Sequence, residues 1–230
     1  MLAENLISSK FNRFMLNEFD NYSPKYAKMK VKIIGEENLL QYKEQGGILG
    51  FLHFGSFFLS GIALIENLEL KYTAIASSHN LKYLSKPERN FWLNVHTKIN
   101  SYYSRPLIFT HNSIYDSIKW IKNGNFLGVA FDVIEEGRNN KLIPVNFLGK
   151  KVFFQSSPAR LARSTNRPIF PLTIRFSPIF RKHYLFIGKP QTVINDLDTT
   201  QKILSEMEII VKRHKYQFFH DIHEPFQNSP

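Results

Sequence analysis

Apolar residues follow two rhythms along this chain. Runs such as Ile48-Leu49-Gly50-Phe51-Leu52 and Phe126-Leu127-Gly128-Val129-Ala130-Phe131 are apolar almost throughout. Between them lie longer stretches in which apolar residues recur every three or four positions. The first pattern suits a strand buried on both faces and the second an amphipathic helix. Read this way, residues 1–30 form two short helices whose apolar face carries Phe11, Phe14, Phe19, Tyr22 and Tyr26. Val31-Lys32-Ile33-Ile34 alternates as a strand and stops at Gly35. A helix over 36–43 is closed by Gly46-Gly47, and a buried strand follows over 48–52.

The alternation continues with a helix over 56–67, a strand over 72–76 and a basic helix over 81–97. A strand over 107–109, a helix over 113–123 and a strand over 126–131 come next. The polar loop 132–140 leads to two runs, 142–145 and 151–154, which flank Leu148-Gly149-Lys150 as a hairpin. A helix over 157–164, strands over 169–176 and 184–187, and a helix over 199–213 complete the chain. No repeat, low-complexity segment or linker interrupts it. The expectation is a single α/β domain over 1–230, with a mostly parallel central sheet flanked by helices. The helical segment 1–30 is expected to pack on that domain.

Composition narrows the chemistry. Hydrophobic residues at 43% and charged residues at 21% exclude a disordered chain. The absence of cysteine excludes disulfides, thiolate metal sites and a cysteine nucleophile, and suits a cytoplasmic location. No run reaches the roughly 18 apolar residues of a spanning helix, and the N-terminus lacks the pattern of a signal peptide. A net charge of +11 favours an acidic partner: a carrier protein, an anionic membrane surface or nucleic acid. No nucleic-acid motif accompanies the charge, so nucleic acid is not expected as a partner. His220 and His223 sit near Asp221 and Glu224, but no histidine spacing suits a metal, and none is expected.

Ligands of such sheets gather beyond the carboxyl ends of the strands. His53, the segment Ser77-Ser78-His79 and Asp132 fall there, and His53 and Asp132 each follow a nearly unbroken apolar strand. Ser56 stands where a helix N-cap is expected and, as an alternative, within reach of activation by His53.

Gly50-Phe51-Leu52-His53-Phe54-Gly55-Ser56 resembles the first motif of the lysophospholipid acyltransferase-like superfamily, closest to its bacterial lipid A (late) acyltransferase branch. Upstream, Val31-Lys32-Ile33-Ile34-Gly35-Glu36-Glu37-Asn38 is similar to that branch's first strand and helix. Downstream, Gly124 to Asp132, Val145-Asn146-Phe147-Leu148-Gly149-Lys150, Ser157 to Arg163 and Pro168-Ile169-Phe170-Pro171-Leu172 resemble later blocks in the same order. The resemblance covers roughly residues 31–176.

It implies acyl transfer from a carrier-protein or coenzyme A thioester to a hydroxyl or amine, with no other cofactor. It also implies a histidine base, here His53, paired with an acidic residue five positions later. That position is Phe58, which can neither accept a hydrogen bond nor carry charge. Three readings stay open. The carboxylate comes from elsewhere, with Asp132 first and Glu135 or Glu136 next; the acceptor is an amine needing less activation; or the protein is an inactive relative that binds lipid, membrane or carrier protein.

Phe57 and Phe58 are expected to line the acyl channel, and Ser56, Arg105, Glu135 and Arg138 to contact substrate. First-turn amides after Gly55, with Arg105 or Arg138, are candidates for stabilising the oxyanion. The branch usually carries an N-terminal membrane helix, which this sequence lacks. A peripheral biosynthetic enzyme at the inner face of the cell membrane, served by an acidic acyl carrier protein, is therefore the expectation.

Overall fold

Strand pairing sets the architecture. The computed structural model describes residues 2–77, 85–110, 113–133 and 142–218. From the N-terminus run α1 (Leu2–Phe19), α2 (Pro24–Lys30), β1 (Val31–Ile34), α3 (Glu37–Leu40), β2 (Gly47–Phe51) and α4 (Phe57–Leu68). Next come β3 (Tyr72–Ala76), α5 (Lys86–Asn100), β4 (Ile108–Phe109), α6 (Ser113–Lys122) and β5 (Phe126–Ala130). The chain continues with β6 (Leu142–Phe147), β7 (Lys150–Gln155), α7 (Ser157–Thr165), β8 (Ile169–Ser177), β9 (Lys182–Ile187) and α8 (Asp196–Val211), then a closing turn, Lys215–Gln217.

Seven strands form one sheet in the order β1-β9-β8-β2-β5-β3-β4, and β6 with β7 makes a separate antiparallel hairpin. The run β8-β2-β5-β3-β4 is parallel throughout. β9 meets β8 antiparallel, and β1 is parallel to β9, so the sheet is mixed but mostly parallel. A single α/β unit flanked by helices results, as the alternating pattern predicts.

Each face of the sheet has its own core. On one side Leu49, Tyr72, Phe126, Phe170 and Leu185 are buried with Leu59 and Ile62 of α4 and Val95 and Ile99 of α5. Phe11, Met15 and Phe19 of α1 join that core, and the Phe14 ring sits 5.1 Å from the Phe176 ring. On the other side Ile48, Leu127, Val129 and Ile169 pack with Ile121, Ala162, Ile203, Leu204 and Met207 of α6, α7 and α8. The hairpin closes this second core with Val145, Phe147, Val152 and Phe154.

Several boundaries differ from the sequence reading, among them those of α1, which is 18 residues long, and α5, which ends at Asn100. α8 begins at Asp196 and not at 199, because the Asn195 side chain accepts from the Asp198 amide at 2.7 Å and caps the helix a turn earlier. The segment 36–43 holds only the four-residue α3 followed by turns. Among the described residues, no helix is long and apolar enough to cross a membrane.

Candidate active site

β2 and β5 are neighbours, and their register places Phe51 opposite Ala130. Two residues further along each strand come His53 and Asp132, which therefore emerge level at the carboxyl edge of the sheet. The Asp132 carboxylate receives two hydrogen bonds from His53. Nδ1 lies 2.8 Å from Oδ1, and the His53 backbone N–H donates to Oδ2 at 2.8 Å. Asp132 is buried and the His53 side chain retains 13% exposure, so the carboxylate sits behind an imidazole that still reaches solvent.

An ionised carboxylate only accepts hydrogen bonds, so the neutral imidazole carries its proton on Nδ1 and its lone pair on Nε2. Nε2 has no hydrogen-bond partner among the described residues. Phe57 presses edge-on against the ring at 4.6 Å between centroids, and Phe51 packs at 5.7 Å. The imidazole is thus held from one end by charge and from the side by aromatic rings.

The loop after His53 is fixed by the far end of the chain. Gly55 adopts φ +58, and a Cβ there would stand 2.1 Å from the Ile174 carbonyl oxygen. Only glycine fits both the conformation and the approach. Its N–H donates to the Gln217 carbonyl at 2.8 Å, and the buried Gln217 side chain pairs with both backbone groups of Phe176 at 2.9 and 2.8 Å. β8 and the closing turn therefore clamp the loop from outside.

Ser56 occupies the N-cap position of α4, yet its hydroxyl makes no capping bond. The group is buried and bonded to Nδ1 of His183. His183 Nε2 is 3.1 Å from the Tyr26 hydroxyl, which donates to Glu18 at 2.7 Å. Because Tyr26 spends its proton on Glu18, it accepts from His183 Nε2, and Nδ1 must accept from Ser56. The expectation of a cap at Ser56 is corrected. Its hydroxyl is committed behind the site, where it ties α4 to α1, α2 and β9.

Phe58 lies in an aromatic group with Phe57 at 4.0 Å, Phe19 at 5.4 Å and Trp92 at 5.8 Å. The position is part of the packing between α1, α4 and α5.

The chain matches the family described as bacterial lipid A biosynthesis acyltransferase over residues 1–227. It belongs to that family. No curated protein matches the chain. Membership makes it a member of an acyl-transferring group, and the family's fold agrees with the sheet seen here.

Other residues singled out in this family member divide three ways. Asp132 reaches His53 directly. Glu135, Glu136 and Arg138 lie outside the described residues, as do Ser78, His79, His220 and His223. Arg105 is corrected. Its carbonyl accepts from Thr73 at 3.2 Å, and its guanidinium sits 3.8 Å from Asp116 and over the Trp120 ring. That is the amino edge of the sheet, six residues or roughly 20 Å from the level of Asp132. Arg105 precedes its strand, and in a parallel sheet residues before a strand belong to the opposite edge from those after it.

His183 is the site-associated residue that the sequence reading passed over. A signal was present. In Lys182-His183-Tyr184-Leu185-Phe186-Ile187 the histidine shares the inward register with Leu185 and Ile187. Burial, with Lys30 nearby, pushes it down to about 4, so it is neutral in the fold.

Proposed function

We propose that this protein transfers an acyl or aminoacyl group from a carrier-protein or coenzyme A thioester to a hydroxyl or amine. The single observation that carries the reading is the paired contact of Asp132 with His53 at the sheet's carboxyl edge. In this reading Nε2 of His53 takes the proton of the acceptor as its oxygen or nitrogen attacks the thioester carbonyl. The tetrahedral intermediate collapses, the carbon–sulfur bond breaks, and the leaving thiolate recovers the proton from His53. Asp132 holds the tautomer and stabilises the imidazolium between those steps. The carboxylate position of the family motif is then filled in space from β5 instead of along α4, and Phe58 is free to be a packing residue.

The amino end of α4 offers a favourable field for the oxyanion. The Gly55 amide is excluded from that task because Gln217 already receives it. Phe57 and Phe58 form part of an apolar wall suited to an acyl chain. The basic surface suits an acidic carrier. Purified protein given an acyl-carrier thioester and acceptor should consume the thioester and form acylated product in equal amounts. A binding-only relative would leave the thioester at its background rate of hydrolysis.

Contact with an anionic membrane has its own support. The β8–β9 turn leaves Ile179 and Phe180 exposed at 87% and 66%, beside Arg181 and Lys182. β8 runs parallel to β2, so this turn projects beyond the same edge as His53. Large apolar tips flanked by cations suit shallow insertion into an anionic lipid surface. Replacing both Ile179 and Phe180 with serine should weaken sedimentation with anionic vesicles at least tenfold. Unchanged sedimentation would contradict membrane docking through this turn.

A further inference from the structure

Ser56 sits between the two residues that shape the loop beside His53. Gly55 before it is held by the Gln217 carbonyl, and Phe57 after it presses on the imidazole. By residue type and position Ser56 should cap α4, a 12-residue helix, yet its side chain makes no capping bond. The Leu59 amide already donates to the Ser56 carbonyl at 2.7 Å, so a capping hydroxyl would take the Phe58 amide. Among the described residues that amide has no hydrogen-bond partner.

His183 holds the hydroxyl away. The residue is completely buried, with its ring 5.0 Å from that of Phe176 and 6.1 Å from that of Tyr22. Its far nitrogen is fixed by Tyr26, and Tyr26 by Glu18. Glu18, as the terminal acceptor, orders the protons along this chain. Tyr26 donates to Glu18, His183 Nε2 to Tyr26, and Ser56 to His183 Nδ1. A buried hydroxyl that loses its partner costs about 1 to 3 kcal/mol, which drives it to the nearest free group. For Ser56 that group is the first turn of its own helix.

We propose that His183 is a positioning residue for acyl transfer: by accepting the Ser56 hydroxyl it keeps the amino end of α4 uncapped beside His53. This role rests on the reading above, in which that amino end favours the oxyanion. A serine oxygen seated on the Phe58 amide would set its own negative charge against the field of the helix and weaken it. His183 acts only through Ser56.

Two substitutions separate this role from a structural one. The side-chain amide of His183→Asn falls near the place of Nδ1 and can still accept from Ser56. That of His183→Gln falls near the place of Nε2 and reaches Tyr26 instead. Both remove the ring, so a structural role would lower thermal midpoint and kcat alike in the two. The positioning role splits them. In His183→Gln kcat for thioester consumption should fall about tenfold, and in His183→Asn by less than about threefold, with KM within about twofold of wild type in both. Hydrogen exchange of the Phe58 amide, followed by NMR, should slow in His183→Gln alone. Adding Ser56→Ala to His183→Gln removes the capping oxygen and should return kcat and the exchange rate toward wild type.

Equal losses of kcat in the two single variants, or a Phe58 amide that exchanges at the same rate in wild type and His183→Gln, would overturn the proposal. So would a His183→Gln protein whose turnover Ser56→Ala does not recover. Failure of the acyl-transfer reading is seen separately, as absent thioester consumption by the wild type. The exchange rates then still decide whether His183 holds Ser56 off the helix.

Discussion

Both carboxylate oxygens of Asp132 are spent on His53, one on the ring and one on the residue's own backbone N–H, each at 2.8 Å. The two bonds are not equivalent. The backbone bond fixes where β5 ends relative to β2, and the ring bond fixes which nitrogen of His53 carries the proton. A substitution that keeps the shape but loses one acceptor must break one of them.

Asp132→Asn is that substitution. Two donors of His53 face the position, and an amide offers one acceptor and one donor, so the ring turns or takes the other tautomer. Loss of the corresponding carboxylate in the serine-protease triad costs about 10⁴-fold in rate. Turnover of thioester by Asp132→Asn should fall by about 10² to 10⁴, with a circular dichroism spectrum like the wild type. A loss below threefold would remove Asp132 from the mechanism.

His183 makes the fold sensitive to acid. Its folded value near 4 lies below the ordinary value of 6.5 used for an unfolded histidine. The unfolded chain therefore takes up a proton first as pH falls. Stability is unaffected by this group above about pH 6.5, declines between 6.5 and 4, and levels below 4. The full loss is roughly 3 kcal/mol. Protonation would also reverse the bond from Ser56, because Nδ1 could no longer accept. Urea midpoints at pH 7.5, 5.5 and 4.5 should fall in that order. His183→Gln should flatten the decline over this range, and an unchanged slope in that variant would assign it to other groups.

Restoring the motif at position 58 should not restore anything. A carboxylate there would face Phe19, Phe57 and Trp92. Phe58→Glu is expected to lower stability by roughly 2 kcal/mol, through lost aromatic packing and desolvated charge. Its turnover should not rise above wild type. A gain of tenfold or more would show that His53 lacks a partner in the natural protein.

The sequence showed these parts unevenly, for physical reasons. Local rhythm reveals a strand and the polar residue that ends it, and so His53 and Asp132 stood out separately. That they meet depends on β5 lying beside β2, a long-range pairing that no local pattern encodes. Arg105 was legible in principle, since it precedes its strand and so belongs to the far edge. Ser56 looked like a cap because residue type and position both suit one. The partner that diverts its hydroxyl, His183, lies 127 residues away on a strand whose inward register is otherwise apolar. The early start of α8 was encoded locally in Asn195, three residues before the Asp198 amide it caps.

Replacing His53 tests the central claim most directly. His53→Gln keeps an amide that can donate to Asp132, so the fold should survive with a thermal midpoint near that of wild type. Consumption of an acyl-carrier thioester in the presence of acceptor should drop about 10³-fold, the scale of a lost general base. Turnover equal to wild type in a folded His53→Gln protein would contradict the account.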